Sequence, residues 1–234
     1  MTVAEAIRAA VERLKATSDT ARLDAELLMA YALGFSRSDM LLRAMREPAP
    51  GGFDELIERR ASHEPVSYII GEAEFYGLDL AIAPGVLIPR GDSETLIEAA
   101  KEAFDGRPSP GAILDMGTGS GALLLAALSI FPDATGTATD RSEAIVPTLR
   151  DNFERHGSRR GIRFKCADWH EQGWADDLGS FDLILCNPPY VEAHAKLDPD
   201  VRDYEPASAL FSGNEGLDDY RAIIPQLRKF MNES

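Results

Sequence analysis

The sequence predicts a doubly wound α/β protein, a mostly parallel sheet with helices between its strands, preceded by a small helical bundle. Two observations predict it. Short apolar runs at 112–116, 135–139, 162–166 and 181–186 read as buried strands, each expected to alternate with a helix. The first run passes directly into Gly117-Thr118-Gly119-Ser120-Gly121, and an Ala- and Leu-rich helix follows from Ala122. Strand, glycine loop and helix in that order let a backbone approach a ligand closely and offer it free N–H groups.

Composition narrows the classes. A chain of 234 residues has room for one core domain and a smaller one, and 44% hydrophobic content is ordinary for a globular protein. A net charge of -15 counts against a broad nucleic-acid surface. No apolar run reaches membrane-spanning length and the amino terminus lacks a signal pattern, so a cytoplasmic address is expected. Cys166 and Cys186 fall in or beside the predicted strands and read as reduced packing residues. Four scattered histidines lack zinc-ligand spacing, so no metal is expected.

In chain order, Val3, Ile7, Val11 and Leu14 recur at helical spacing, as do Leu23, Leu27, Ala30 and Tyr31 before a stop at Gly34. Ser36 with Asp39 resembles a capping box for a third helix through Leu41 and Leu42. A fourth turns Phe53, Leu56 and Ile57 inward. Residues 1–65 therefore read as a helical bundle, either a docking module for a macromolecule or a stabilising cap. Residues 66–88 read as a β-hairpin linker, with 66–70 as its first β-like run. Asp92 or Ser93 then caps a helix through Leu96, Ile97 and Ala100.

The four strand ends carry the chemistry. The glycine loop closes the first. Asp140 closes the second, about 20 residues on, where an acid can accept from ribose hydroxyls. The alternative for the loop is a tight structural turn. Asp168-Trp169 follows the third strand and reads either as an acid and an aromatic bracketing an adenine or as a surface turn. Asn187-Pro188-Pro189-Tyr190 follows the fourth. Two prolines stop the strand. The Asn187 side-chain oxygen and a proline-fixed carbonyl form a pair of acceptors suited to a planar NH2 group, with Tyr190 as an aromatic face. The other reading is a strand-ending turn with an Asx cap.

Taken together, the glycine loop, Asp140 and Asn187-Pro188-Pro189-Tyr190 resemble a class I S-adenosylmethionine-dependent methyltransferase acting on an amide or exocyclic amino nitrogen. The closer resemblance is to the HemK/PrmC family, which methylates the glutamine of the Gly-Gly-Gln motif in peptide chain release factors. It is carried by Leu23-Asp24-Ala25-Glu26-Leu27-Leu28, by residues 65–77, by Val86-Leu87-Ile88-Pro89-Arg90, by residues 115–121 and 187–190, and by Tyr204-Glu205-Pro206 with Ala209-Leu210 and Gly216-Leu217. The resemblance implies that residues 117–121 and Asp140 hold S-adenosylmethionine with Trp169 beside the adenine, that Asn187 and the Pro188 carbonyl bind the glutamine amide, and that Tyr190 holds the glutamine side chain. The family's Pro-Arg-Pro-Glu-Thr-Glu stands here as Pro-Arg-Gly-Asp-Ser-Glu, at residues 89–94. Family members continue into further strands, so residues 89–234 are expected to form a methyltransferase domain incomplete at its carboxyl end.

The expected reaction is attack by an amide nitrogen on a sulfonium methyl, with positioning as the main device and His194 as a solvated loop residue. Residues 191–206 read as a substrate lid or a mobile loop. Alternatives are a ribosomal-protein glutamine or nucleic-acid amino-group methyltransferase, and a chain that binds S-adenosylmethionine without turnover.

Overall fold

The computed structural model describes residues 1–156 and 161–232; Glu233 and Ser234, to which the methyltransferase domain was expected to extend, lie outside them. The chain divides into two compact units. The first comprises Met1–Gly71 and Leu197–Tyr204, the second Glu72–Lys196 and Glu205–Ser234.

The first unit packs α1 (Val3–Leu14), α2 (Ala21–Leu33), α3 (Arg37–Arg43), α4 (Phe53–Ala61) and α5 (Val66–Ile70) around one apolar core. Thr2 starts α1 with a capping box to Glu5, Ser36 Oγ accepts from the Asp39 N–H at the start of α3, and Gly34 ends α2 in the left-handed conformation. Two expectations are corrected. Residues 66–70 form the helix α5 and not a strand: Pro65 sets its start and Gly71 its left-handed end, which overrides the β preference of the branched side chains. On α2 the buried stripe is Ala21, Ala25, Leu28 and Met29, whereas Leu23 and Tyr31 are exposed. Buried Asp24 and Glu26 lie between those core residues because arginines neutralise them. Arg22 and Arg37 pair with Glu26, and Arg60 Nε reaches Asp24 Oδ2 at 2.6 Å. Arg60 also holds Asp200 at 2.8 Å, on the one-turn helix Pro199–Arg202.

The second unit begins with an antiparallel hairpin, β1 (Glu72–Phe75) and β2 (Leu78–Ala81). Tyr76 and Gly77 both take positive φ between them, the geometry of a two-residue type I′ turn. After α6 (Glu94–Ala103) come β3 (Ala112–Met116), α7 (Ala122–Ile130), β4 (Thr135–Asp140), α8 (Val146–His156), β5 (Ile162–Cys166) and β6 (Leu183–Cys186). The sheet is wholly parallel, in the order β5-β4-β3-β6. Leu114 and Met116 on one face of β3 pack with Trp169, Trp174, Phe181, Ile223 and Phe230. Alternation turns Ile113 and Asp115 to the opposite face, and α7 packs on β3 and β4. Residues 167–182, between β5 and β6, contain no helix, contrary to strict alternation. The buried Trp174, Leu178 and Phe181 cover the sheet there from a chain of turns. Cys166 is exposed near the sheet's edge, so it is not the packing residue expected, and both cysteines are free. No described helix is long and apolar enough to cross a membrane.

Two stability predictions follow from these buried charges. Arg60→Met leaves buried Asp24 with the Ser18 and Thr20 hydroxyls but no counter-ion and should lower the unfolding free energy by about 3–5 kcal/mol in urea titration; a loss below about 1 kcal/mol would mean that Asp24 regains water. Asp115 is buried in β3, with Oδ1 lacking a hydrogen-bond partner. Burial pushes its carboxyl up from 3.8 to about 7, against the pull of the Thr118 hydroxyl. The folded state therefore holds this proton more tightly than the unfolded chain, and stability falls as pH rises from about 4 to about 7, then levels. The melting temperature of the wild type relative to Asp115→Asn should fall between pH 5 and pH 8, and a pH-independent difference would refute the assignment.

Candidate active site

The site is built by strand register. Met116 of β3 pairs with Thr139 of β4 on one side and with Cys186 of β6 on the other. The next residues, Gly117, Asp140 and Asn187, thus leave the sheet at one level. Asp140 is paired in turn with Cys166, which brings the chain after β5 to the same rim. Ligands of open parallel sheets sit at this carboxyl edge. A cavity of about 300 Å³ opens there, lined by the glycine loop with Asp140, Ile145, Trp169, Asn187 and Pro189, within the size range of small-molecule sites.

The loop is held from below and packed from the side. The Gly117 and Thr118 N–H groups donate to the Thr139 carbonyl at 2.8 and 2.9 Å. Thr118 Oγ1 donates to Asp115 Oδ2 at 2.6 Å. Gly117 has φ +72°, and a Cβ there would lie 3.2 Å from the Trp169 ring, so the indole rests directly on the loop. Trp169 Nε1 donates to Asp219 Oδ1 at 2.7 Å, which His170 Nε2 also reaches at 2.9 Å. Burial works to raise the Asp219 carboxyl, but bonds from Ser212, His170 and Trp169 outweigh it and keep the group below its usual value. Asp140 is fixed by two backbone donors, Gly119 N to Oδ2 at 3.1 Å and Ser142 N to Oδ1 at 2.9 Å. Thr118, Gly119 and Ser120 line the cavity, whereas Gly121 is buried at the start of α7 and does not.

Asp168 does not line this cavity. Its Oδ1 accepts from the His170 N–H at 2.9 Å, and it borders an open depression with Cys166 and Glu171 that adjoins the cavity at Arg141 and Ser142. At the end of β6, Asn187 and Pro189 reach the cavity, Pro188 is buried, and Tyr190 is half exposed outside the lining. Asn187 Nδ2 donates to Ser93 Oγ at 3.1 Å, and its Oδ1 accepts nothing among the described residues. Gly216 explains a glycine that sequence alone could not: at φ +68°, any Cβ there would run into the Tyr190 carbonyl oxygen. His194 is exposed. Val191 pairs with Phe211, so the chain beyond the turn is anchored on the second unit before Leu197–Tyr204 joins the first.

Several contacts that brace the cavity have no signal in the sequence. Arg90 pairs with the buried Glu205 at 2.6 Å, and Arg141 donates to the Ser208 carbonyl at 2.8 Å, which holds Pro206, Ser208 and Ala209 at the cavity. These partners lie 115 and 67 residues apart, beyond any local spacing signal. Asp219, fifty residues from Trp169, had none either.

Comparison with known proteins agrees with this architecture. The PrmC N-terminal domain family matches residues 5–71, and the methyltransferase small domain family matches 92–203. The chain is 38% identical over 231 residues to the release factor glutamine methyltransferase of Nitratidesulfovibrio vulgaris, covering 96% of this chain and 77% of that protein. It is 37% identical over 221 residues to the protein of that name from Geobacter sulfurreducens, covering 92% and 74%. With that from Agrobacterium fabrum the identity is 37% over 243 residues, covering 100% and 82%. The fold is that of the class I S-adenosylmethionine-dependent methyltransferases. With both of its domains matched and identities of this size holding over most of each relative, the chain belongs to the release factor glutamine methyltransferase family.

Proposed function

We propose that this protein transfers a methyl group from S-adenosylmethionine to the side-chain amide nitrogen of the glutamine in the Gly-Gly-Gln motif of peptide chain release factors. The observation that carries this reading is the convergence of a glycine loop, a ribose-type acid and Asn187 with Pro189 of the Asn-Pro-Pro-Tyr turn on one cavity.

The residues present fit the cofactor. Gly119 is open to the cavity, with nothing within 4 Å of where a Cβ would stand. Asp140 is an acceptor held rigid by two backbone N–H groups, suited to a ribose diol. Trp169 offers an indole edge braced by Asp219. Thr118, Gly119 and Ser120 would hold the amino-acid end of S-adenosylmethionine. When bound, it supplies an electrophilic methyl group on a sulfonium centre. Asp168, expected beside the adenine, holds its own turn through Oδ1 and borders the depression that adjoins the cavity at Arg141 and Ser142.

The protein's task is then to present a poor nucleophile. An amide nitrogen shares its lone pair with its carbonyl. Asn187 Oδ1 and the Pro188 carbonyl accept its two N–H bonds, orient it and raise its electron density. Tyr190, half exposed at the end of the same turn, steadies the glutamine side chain. The surplus proton leaves the methylated amide to water, so no strong base is required and exposed His194 takes no part. We assign residues 1–65 to docking of the release factor, residues 66–88 to the linker and the rest of the chain to catalysis, in the cytoplasm. The net charge of -15 favours a protein partner over nucleic acid.

Incubation of a release factor with this protein and S-adenosylmethionine should add one methyl to the Gly-Gly-Gln glutamine, read by mass spectrometry. Asn187→Ala should lower kcat about a hundredfold or more while cofactor affinity by calorimetry is retained. Loss of affinity together with turnover would assign Asn187 a structural role, and methylation of another residue or of RNA would replace the substrate.

A further inference from the structure

Ser93 occupies the N-cap position of α6, where a serine ordinarily bonds a backbone N–H of the first turn. Here its side chain makes no such bond. It faces the cavity, and its Oγ accepts from Asn187 Nδ2 at 3.1 Å, across 94 residues of sequence. Ser93 has helical backbone angles at the end of a 3₁₀ turn that runs into α6, so its hydroxyl is free of a capping role and available to the site.

We propose that Ser93 is a positioning residue that sets the orientation of the Asn187 amide, turning Oδ1 toward the substrate and Nδ2 away from it. This rests on the proposed role of Asn187. An asparagine amide has a donor end and an acceptor end of nearly equal shape, and rotation by 180° exchanges them. Only the acceptor end can grip a substrate NH2; the donor end would oppose N–H to N–H. A hydroxyl alone could tolerate either orientation, because it carries one proton and two lone pairs. Asp92 breaks the tie. Its Oδ1 lies 3.4 Å from Ser93 Oγ and can only accept, so it takes the hydroxyl proton and leaves a lone pair for Asn187 Nδ2. The order carboxylate, hydroxyl, amide then fixes a single direction of donation. Thr95 Oγ1 donates to the Asp92 carbonyl at 2.6 Å and steadies the 3₁₀ turn Gly91–Ser93 that carries both residues. The segment that departs from the family pattern, Gly91-Asp92-Ser93, thus keeps a hydroxyl and a neighbouring acid where the amide needs them.

The test uses the intact protein and two readouts. In wild type, one side-chain amide proton of Asn187, assigned by the loss of its signal in Asn187→Ala, should be shifted downfield and exchange slowly with water. In Ser93→Ala that shift and protection should vanish, and Ser93→Thr should restore both. With a release factor as substrate, kcat should fall about five- to tenfold in Ser93→Ala with cofactor affinity unchanged, and recover in Ser93→Thr. Asp92→Ala should cost less and add nothing to Ser93→Ala. Unchanged Asn187 amide signals in Ser93→Ala would overturn the proposal whatever the activity. Signals that respond as expected in a protein that leaves the glutamine unmethylated would uphold the positioning bond and defeat the substrate reading instead.

Discussion

The chemistry of this protein depends on the register of β3. Because Met116 faces Thr139 and Cys186 across two parallel ladders, the residues that follow all three strands emerge at the same height. A one-residue slip in either ladder would send alternate side chains to the wrong face and separate Asp140 or Asn187 from the glycine loop. The register is enforced by what the two faces bury. Leu114 and Met116 pack into the Trp169–Trp174–Phe230 cluster, and Ile113 and Asp115 are wholly enclosed on the other side.

Around that rim, acidic side chains serve as braces, each with a different partner. Asp140 is gripped by backbone N–H groups, Asp219 by Trp169 and His170, Glu205 by Arg90, and Asp115 by the Thr118 hydroxyl. Each contact ties a loop at the cavity to an element distant in sequence. Rigid placement of this kind is what a reaction limited by orientation requires, and it comes at the cost of burying carboxylates, most visibly at Asp115. Glu205 stands directly after Leu197–Tyr204, so the chain returns to the second unit at the residue that anchors on Arg90.

Local patterns predicted the elements well where short-range physics decides them. The strands at 112–116 and 162–166, the strand beginning at Thr135 and the cap at Ser36 follow from periodicity and capping chemistry. Failures cluster where a longer-range partner intervened. Leu23 and Tyr31 share helical spacing with buried Ala30 yet lie exposed, because α2 instead buries Asp24 and Glu26, which only distant arginines make tolerable. Residues 66–70 follow their flanking Pro65 and Gly71 and not their β-branched composition.

What the sequence by itself determined is the set of strand ends and what each presents: a glycine loop, an acid, an aromatic and an amide held by two prolines. Residue types and spacing suffice there, because glycine and proline act on their own backbone. Tertiary structure alone decided which of these meet. It brought Asp140, Trp169 and Asn187 to one cavity and left Asp168 beside it. It also decided which way an amide points, since that direction depends on a hydroxyl ninety-four residues away that no local pattern connects to it.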